Sequence, residues 1–416
     1  MFYKETEFQD SPIGKIPKDW NVQELGDESI ADIIAGQSPP SSTYNKENHG
    51  LPFLQGKMEF GEMFPSPTTY CSEPIKISKK NDVLLSVRAP VGDVNIAPSE
   101  CCIGRGLAAI RAKADKLNHL FLFYYLKLGG KRFEALSTGS TFKAIRIREI
   151  EKFSIPVPSV EEQRGIVGVL GVVDSVIAKT GEVIAKTERL KKGLMQTLLT
   201  RGIGHKEYKQ TPIGTIPKEW EIIRLKDKAW VKEGVYGKRG EKGVIQLKAD
   251  SISDSGRINA NAYALISVDR QIDDYLLEPG DIILSNRNSA ALVGKCAIFR
   301  GEFKQCVFSN LLTRIRLNSK DVLPEWLLYI LMKIKDDGLL RAFSTRAVNQ
   351  VLLKKELVEN LKVPLPSISE QQEIVNILSA IDDKLELEKE EKAKLERIKQ
   401  GLMDLLLTGK IRVKVD

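Results

Sequence analysis

The sequence has few of the residues that build metal sites and none of the long apolar runs that cross membranes. Its 416 residues include five cysteines and three histidines, and no two cysteines have the C-x-x-C spacing typical of zinc sites. No apolar run reaches the roughly 18 residues of a transmembrane helix, and the first residues lack the hydrophobic segment of a secretory signal. Scattered cysteines indicate a reducing compartment. We therefore expect a cytoplasmic protein with no metal and no membrane partner.

The motifs of nucleotide-dependent and DNA-cutting enzymes are also missing. There is no G-x-x-x-x-G-K-(S/T) phosphate loop and no Pro-Asp dipeptide that could begin a P-D…(D/E)-x-K nuclease site. Gly165, Gly168 and Gly171 have the wrong spacing for a dinucleotide fingerprint and are better explained by close helix packing. The segment Ser38–Ser41 (SPPS) resembles part of the (D/N/S)-P-P-(aromatic) loop of amino-methyltransferases, but Ser41 replaces the aromatic residue. We expect a non-catalytic chain that binds no cofactor, with a surface turn at 38–41.

Charge is the compositional feature that points to a partner. Lysine and arginine number 63 against 55 aspartates and glutamates, which gives a net charge of +8 and a pI near 9.0. This modest surplus favours polyanionic partners such as nucleic acid, and a well-solvated basic protein is the alternative. The hydrophobic content of 42% and the length are typical of a globular protein with two or three domains.

An internal repeat with a period near 200 residues is the strongest signal in the sequence. Three motifs occur twice in the same order: SPIGKIPKDW at 11–20 and TPIGTIPKEW at 211–220, PVPSVEEQ at 156–163 and PLPSISEQ at 364–371, and G-L-M-x-x-L-L-T from Gly193 and from Gly401. Between these motifs the two copies diverge. Such a pattern indicates two readers of different targets on one scaffold, and a duplication whose halves merely drifted is the alternative.

Each copy consists of a mixed α/β segment followed by a long helix. Aliphatic runs predict strands at 83–86 and 282–285, and again at 107–110 and 312–315. Shorter helices are predicted from a cap at Asn118 to Leu128, stopped by Gly129-Gly130, and from Pro324 to about Lys333. Each Pro-x-Pro motif then leads into a helical stretch of about 40 residues, which would be roughly 60 Å long.

The long helices carry an apolar heptad seam. The seam residues are predicted to be Ile166, Val173, Val176, Val183, Leu190 and Leu194 in the first helix, and Ile374, Ile381, Leu395 and Leu402 in the second. One seam buries nothing alone, so the two helices are expected to pair with each other. An antiparallel pair would place the globular units at opposite ends, and a helix folded back on its own unit is the alternative.

Several variable segments have side chains suited to DNA. The loop from Thr138 to Lys143 is rich in hydroxyls that can reach phosphates. Its counterpart, 345–350, offers arginine for guanine and asparagine or glutamine for adenine. The candidate DNA-binding residues are Arg88, Thr138, Gly139, Ser140, Thr141, Lys143, Lys238, Arg239, Arg287, Asn288, Arg346, Asn349 and Gln350. For each of them an ordinary solvated turn is the alternative.

The three repeated motifs resemble those of the specificity subunits of type I restriction-modification systems, and the resemblance covers the whole chain. It implies an α+β fold of two target-recognition domains, at 1–157 and 204–365. These would be joined by an antiparallel coiled coil of two long helices, at 158–203 and 366–416, with a pseudo-two-fold repeat. It also implies that the loop from Thr138 to Lys143 is one common in these domains, whereas the match at 345–350 is looser.

The resemblance further implies a partner set. The chain would read a bipartite, asymmetric double-stranded DNA sequence and assemble with two methylation subunits and two restriction/translocase subunits. Those subunits would carry S-adenosylmethionine, ATP, Mg and the nuclease chemistry. Two other functions remain possible: a coiled-coil adaptor that does not read DNA, and a methyltransferase, for which 38–41 is the only hint. Salt-sensitive binding to a particular duplex would separate the first from a DNA reader, and failure to bind S-adenosylmethionine would exclude the second.

Overall fold

The computed structural model describes residues 2–137, 144–269, 271–342, 345–347 and 350–414. It forms two compact units. Unit 1 consists of Met1–Gly181 and Glu391–Asp416, and unit 2 of Glu182–Glu390. Each of the two long helices therefore gives one half to each unit.

The first half of the chain is a mixed α/β segment that ends in a 42-residue helix. Its elements are β1 (Phe2–Lys4), β2 (Phe8–Ser11), β3 (Gly14–Pro17), β4 (Asn21–Glu24), β5 (Ala31–Ala35), β6 (Tyr44–Asn45), β7 (Leu51–Leu54), β8 (Tyr70–Cys71), β9 (Ile77–Ser78), β10 (Val83–Ser86), β11 (Val94–Ile96), β12 (Cys101–Ile103), β13 (Leu107–Ala112), α1 (His119–Leu128), α2 (Gly130–Leu136), α3 (Ile147–Glu151), β14 (Ser154–Val157) and α4 (Val160–Arg201).

The second half follows a similar but not identical order and ends in a 39-residue helix and a short strand. Its elements are β15 (Tyr208–Thr211), β16 (Gly214–Pro217), β17 (Glu221–Arg224), β18 (Ala229–Glu233), β19 (Lys238–Leu247), β20 (Tyr263–Ser267), β21 (Ile282–Ser285), β22 (Arg287–Asn288), β23 (Cys296–Ile298), β24 (Cys306–Phe308), β25 (Leu312–Leu317), α5 (Pro324–Asp336), α6 (Leu339–Ala342), β26 (Thr345–Ala347), β27 (Gln350–Leu352), α7 (Lys355–Glu359), β28 (Lys362–Leu365), α8 (Ile368–Leu406) and β29 (Ile411–Val413).

The central strand of each unit is buried on both faces, which explains its unbroken apolar sequence. In unit 1 the sheet order is β11-β10-β13-β5. Val83 and Leu85 of β10 belong to the core that contains α1, whereas Leu84 belongs to a second cluster on the opposite face. In unit 2 the order is β18-β25-β21-β23, and β21 divides its residues between two clusters in the same way. The predicted strands at 83–86, 107–110, 282–285 and 312–315 all lie within observed strands.

The long helices pair antiparallel within each unit. In unit 1, Ile166 and Leu170 of α4 share a core with Met403 and Leu406 of α8, and further along α4 Asp174 forms an ion pair with the earlier residue Lys399. In unit 2, Lys191 of α4 forms an ion pair with Asp382 of α8. Residue numbers rise along one helix as they fall along the other, so the predicted antiparallel coiled coil is confirmed.

The seam prediction is wrong by one position in the middle of α4. Val176, Val183 and Leu190 are 40%, 37% and 56% exposed, whereas Ile177 is 1% exposed. The helix has apolar residues at adjacent positions, so periodicity alone could not choose between the two faces. The other predicted seam residues are buried or half-buried: Ile166, Val173, Leu194, Ile374, Ile381, Leu395 and Leu402.

A glutamine that occurs in both halves of the chain attaches each long helix to the globular part of its own unit. The Gln163 side chain donates to the carbonyl oxygens of Pro158 and Lys116, both at 2.9 Å, and accepts from the Asn118 amide at 2.7 Å. Asn118 is the residue that caps α1. The repeat keeps all three hydrogen bonds, between Gln371 and Pro366, Asp321 and Leu323. The glutamine of the P-x-P-S-x-x-E-Q motif thus has the same structural task in both units.

The glutamate that precedes this glutamine in each unit binds the tryptophan of the first repeated motif, which explains why that tryptophan is repeated. Trp20 Nε1 donates to Glu162 Oε2 at 3.0 Å, and Trp220 Nε1 donates to Glu370 Oε2 at 2.9 Å. Both tryptophans are 1% exposed. The two motifs are therefore joined by a buried hydrogen bond in each unit, although they lie far apart in the sequence.

A charged layer interrupts the apolar seam at equivalent places in the two units. In unit 1 the Tyr124 hydroxyl donates to Asp174 Oδ2 at 2.6 Å, and Lys399 forms an ion pair with the same carboxylate. In unit 2 the corresponding residues are Tyr329, Asp382 and Lys191, with a Tyr329–Asp382 hydrogen bond of 2.8 Å. Burial, together with the neighbouring carboxylate, raises the pKa of both tyrosines. Each layer connects three elements: α4, α8 and the helix of the globular part.

Tyr124→Phe is expected to lower the free energy of unfolding by about 1.5–3 kcal/mol, the range for a hydrogen bond to a charged group. The Tyr124 side chain is buried. Without its hydroxyl, the Asp174 carboxylate would have Lys399 as its remaining partner in this layer. Tyr329→Phe should cost a similar amount in unit 2. Denaturant-induced unfolding measures both, and Tyr236→Phe, at a side chain 74% exposed, is the matched control. Equal midpoints for Tyr124→Phe and the control would contradict the assignment.

One further sequence prediction needs correction. The second long helix does not continue through 366–416: α8 ends at Leu406, and β29 pairs antiparallel with β1, joining the two ends of the chain. The predicted helix from the cap at Asn118 to Leu128, ending at Gly129-Gly130, is confirmed; Gly130 then begins α2, so only Gly129 lies between the helices. The glycine pair thus makes a corner between two helices.

Candidate nucleic-acid interface

In unit 1, backbone hydrogen bonds hold several chain segments together at one edge of the sheets. The amide of Gly36, just after β5, donates to Leu107 O at 2.9 Å, and the amide of Val87, just after β10, donates to Gly106 O at 2.9 Å. Ile145 N donates to Val87 O at 3.0 Å, and Gly104 N donates to Leu54 O at 2.8 Å. We call this arrangement the loop frame of unit 1.

Unit 2 has the same loop frame. The matching bonds run from Gly234 N to Leu312 O (3.0 Å), Asn286 N to Leu311 O (3.1 Å), Leu353 N to Asn286 O (2.8 Å) and Ser309 N to Leu247 O (2.9 Å). Backbone groups make all of these bonds, so the frame survives divergence of the side chains. Loops that leave a rigid frame can vary in sequence without changing the fold.

Glycines allow the closest approaches within the frame. A Cβ atom at Gly36 would lie 2.2 Å from the carbonyl oxygen of Gly104, and one at Gly234 would lie 2.2 Å from that of Ser309. A Cβ at Gly106 would lie 2.3 Å from Gln55 O. These separations are too short for any side chain, so the glycines are required by close contact between backbones.

The frame places Arg88 beside the hydroxyl-rich loop of unit 1. Arg88 is exposed and forms an isolated β-bridge with Ala144, the first described residue after that loop. The loop's own candidates lie outside the described residues: Thr138, Gly139, Ser140, Thr141 and Lys143. Their contact with DNA stays a prediction, and Arg88 is the candidate of unit 1 whose position is defined.

In unit 2 the predicted loop at 345–350 contributes to a three-stranded ribbon of order β22-β27-β26. Arg287 pairs with Leu352, and Arg346 with Val351, so two candidate segments distant in sequence are hydrogen-bonded neighbours. Arg287 is exposed, and the Asn288 side chain donates to Ser285 Oγ at 3.4 Å. The backbones of Arg346 and Gln350 are in strands, and Asn349 lies outside the described residues.

The glycines that flank Lys238 and Arg239 predict a loop, but the two residues lie at the start of β19. They pair with Ser267 and Ile266 of β20, and a bulge separates Arg239 from the regular pairing that resumes at Val244. Both side chains are exposed. Their sheet, β20-β19-β24, is distinct from the three-stranded ribbon. These two cations and Arg287 therefore lie in different sheets.

The sequence analysis missed one exposed position in each loop frame. Arg105 is the only exposed residue of the turn 104–106 between β12 and β13, and its amide donates to Ser38 Oγ at 3.2 Å. Asn310 is the exposed residue of the matching turn between β24 and β25. The sequence signal that could have revealed Arg105 is a lone arginine between two glycines, just before a buried strand. Ser38 of the SPPS segment supports this turn.

Other arginines near the frame have structural partners. Arg111 at the far end of β13 makes two hydrogen bonds with Asp82, at 2.9 and 2.8 Å, and Arg316 makes the equivalent pair with Asp281 in unit 2. The carboxylates hold the pKa of both guanidinium groups above the usual value. Within the described part of the chain, the guanidinium groups of Arg88, Arg105 and Arg287 have no ion pair or hydrogen bond. Among the described residues, these three side chains therefore have no partner that a ligand would have to displace.

The described residues contain neither a metal-binding cluster nor a membrane-spanning helix. Among residues 2–137, 144–269, 271–342, 345–347 and 350–414, no three His, Cys, Asp or Glu side chains are grouped so as to hold a metal ion. The same residues form no helix with the length and apolar character needed to cross a membrane.

Comparison with known protein families gives two matches along the chain. The model of the type I restriction modification DNA specificity domain matches residues 17–189 and again 217–397. A type I restriction enzyme specificity subunit of Methanocaldococcus jannaschii, MjaVIII, is 27% identical over 423 aligned positions, covering 100% of this chain and 98% of that protein. Another protein of the same organism, assigned as the MjaX specificity subunit, is 48% identical over 198 residues, which is 48% of this chain and 47% of that protein.

Two solved structures have a similar fold. The S subunit of a type I restriction-modification system from M. genitalium gives a TM-score of 0.59 at 18% identity, covering 93% of this chain and 96% of that one. A chain from a structural study of assembly and conformational transition of the type I system gives 0.60 at 19% identity, covering 95% and 99%.

Proposed function

Because the chain belongs to the type I restriction-modification DNA specificity family, we propose that each of its two units reads one half of a bipartite, asymmetric DNA target. The main observation in support of this proposal is that both units have the same backbone loop frame but present different side chains on it. A shared frame gives both readers the same approach to the duplex, and different side chains give them different sequences to read.

The candidate contacts divide by chemistry. Arginine and asparagine side chains can recognise guanine and adenine edges, which we assign to Arg346 and Asn349 in unit 2. Lysine and hydroxyl groups suit phosphates, which we assign to Lys143 and its loop in unit 1. Arg88 and Arg287 follow equivalent strands and are both exposed. They are the candidates that the two units share, so we assign them to the phosphate backbone.

The chain also holds the partner subunits of its system. The coiled-coil helices expose apolar side chains away from their seam: Val172, Val176, Val183, Leu190, Ile377, Leu387 and Ile398 are between 37% and 66% exposed. Exposed apolar residues on a helix favour docking of another protein. The partners proposed are two methylation subunits and two restriction/translocase subunits, which would bind S-adenosylmethionine, ATP and Mg. This chain would contribute neither a catalytic residue nor a cofactor site.

The proposed function can be tested by mapping DNA methylation. In a host that expresses the chain with the modification subunit of its system, sequencing of methylated bases should show one bipartite motif, and omission of the chain should abolish it. The purified chain alone, with S-adenosylmethionine and the same DNA, should transfer no methyl group. Methylation that does not depend on the chain would support a coiled-coil adaptor instead. Turnover by the chain alone would support a methyltransferase.

A further inference from the structure

Several backbone hydrogen bonds of the loop frame hold each of the turns 104–106 and 309–311. The turn in unit 1 connects β12 to β13, which belong to different sheets. Bonds from Gly104 N to Leu54 O, from Leu107 N to Gly104 O and from Val87 N to Gly106 O fix it on three sides. The bonds of Ser309, Leu312 and Asn286 fix the turn of unit 2 in the same way. A side chain in such a turn loses little conformational freedom of the backbone when it binds a ligand.

The middle residue of each turn is its exposed residue. Gly104 and Gly106 are buried, and Arg105 between them is exposed. In unit 2 Ser309 is buried, and Asn310 is exposed. The SPPS segment also belongs to this construction, since Ser38 Oγ accepts the Arg105 amide. The structure thus gives this segment a supporting task.

The contrast with Arg111 shows that Arg105 is not part of the structural charge network. Arg111 is bidentate with Asp82, whose side chain is 2% exposed, and the repeat preserves that pair in unit 2. Arg105 stands just before the same strand and has no partner for its guanidinium among the described residues. The repeat also replaces it with an asparagine. A position with constant backbone geometry and changing side-chain chemistry is typical of a reader.

We infer that Arg105 reads a guanine and Asn310 reads an adenine, each in the half-site of its own unit; this rests on the proposed function. Arginine can donate two hydrogen bonds to guanine O6 and N7, and asparagine can make two with adenine N6 and N7. A phosphate contact that neutralises charge would account for Arg105 but not for Asn310, because asparagine can give a phosphate only a neutral hydrogen bond. Base reading accounts for both residues with one geometry.

The experiment uses the complex of the full chain with its modification subunits. Methylation rates and dissociation constants are measured on the cognate duplex and on every single-base-pair variant of both half-sites, at two salt concentrations. The variants are Arg105→Ala, Arg105→Lys and Asn310→Ala. Arg148→Ala is the matched control, because Arg148 is also an exposed arginine of unit 1 but lies on α3. Arg105→Lys keeps the charge and loses the two-pronged donor.

Arg105→Ala should reduce discrimination at one G·C pair of one half-site by roughly tenfold to a hundredfold. Arg105→Lys should not restore that discrimination, and the other half-site should be unaffected. Asn310→Ala should have the corresponding effect at one A·T pair of the other half-site. Arg148→Ala should leave every base preference unchanged.

Two outcomes would overturn the inference. One is equal weakening on all sequences that Arg105→Lys restores, because this is the behaviour of a phosphate contact. The other is unchanged discrimination in both Arg105→Ala and Asn310→Ala. Failure of the proposed function itself looks different: the unmutated complex would then show no base preference in either half-site.

Discussion

Replacement of residues 21–155 by the equivalent segment of another family member is expected to change one half of the DNA target and leave the other half unchanged. The segment contains the whole loop frame of unit 1 and lies entirely within that unit. Several mismatched base pairs, at about 1–3 kcal/mol each, should abolish methylation of the original half-site. Sequencing of methylated bases in cells that carry the chimera measures the result directly.

The structure specifies how the chimera must be designed. The hydrogen bonds of Gln163 go to backbone atoms of Lys116 and Asn118, so they can form with any donor sequence. The donor should keep a tyrosine at position 124, because that hydroxyl binds Asp174 of the unchanged helix. The reciprocal exchange in unit 2, between Trp220 and Pro364, is the matched control and should change only the other half-site. A chimera in which both half-sites change would show that the units do not read independently.

Arg412→Ala is expected to destabilise unit 1 by about 3–5 kcal/mol, the range for removal of one partner of a buried ion pair. The Arg412 guanidinium donates to Glu162 at 2.5 Å and to both carboxylate oxygens of Asp19 at 2.7 and 2.9 Å. It also donates to Glu5 at 2.5 Å. Side chains of Arg412 and Glu162 are only 6% and 4% exposed. Loss of the arginine would leave the carboxylate that binds Trp20 buried without a cation.

The size of this effect should depend on pH. The hydrogen bond from Arg412 lowers the pKa of Asp19, and the Glu5 pKa is lowered chiefly by a hydrogen bond from the Glu7 amide. A carboxyl whose pKa is lowered on folding stabilises the protein above its unfolded pKa, about 4 for these groups. That contribution is lost as the pH falls through the folded pKa. The difference in unfolding free energy between the unmutated chain and Arg412→Ala should therefore be full at neutral pH and shrink below about pH 4.

Denaturant unfolding across this pH range tests the prediction. Lys410→Ala removes an exposed cation two positions away and should change stability by no more than about 0.5 kcal/mol. His205 is the residue that meets Glu370 in unit 2, at 2.8 Å. His205→Ala should cost less than Arg412→Ala, because the Ile203 amide and Trp220 still donate to that glutamate. Equal stability of Arg412→Ala and Lys410→Ala at pH 7 would contradict the role assigned to Arg412.

Arg412 and His205 bind equivalent glutamates in the two units, but they come from different parts of the repeat. In unit 2, His205 follows directly after α4, within the connection to β15. In unit 1 that connection is interrupted by the two chain ends, and β29 brings Arg412 to Glu162 by pairing with β1. No repeated motif includes either cation, so sequence comparison of the halves could not find the correspondence.

The sequence by itself determined the features that local patterns and repetition encode. The two copies, the central strands and the paired long helices follow from motif order, apolar runs and heptad spacing, because these depend on residues close together in the chain. The repeated motifs also marked Gln163 and Trp20 as important. They did not reveal what either side chain binds.

Only the tertiary structure decided the face of α4 that meets α8, the contacts of Arg412 and the place of Arg105. Val176 and Ile177 are both apolar, and only the packed partner selects one of them for burial. Arg412 binds Glu162 across 250 positions of sequence, a separation at which no local pattern operates. The loop frame consists of backbone hydrogen bonds, which any residue but proline can donate. Apart from the glycines at its closest approaches, these bonds leave no pattern in the amino-acid sequence.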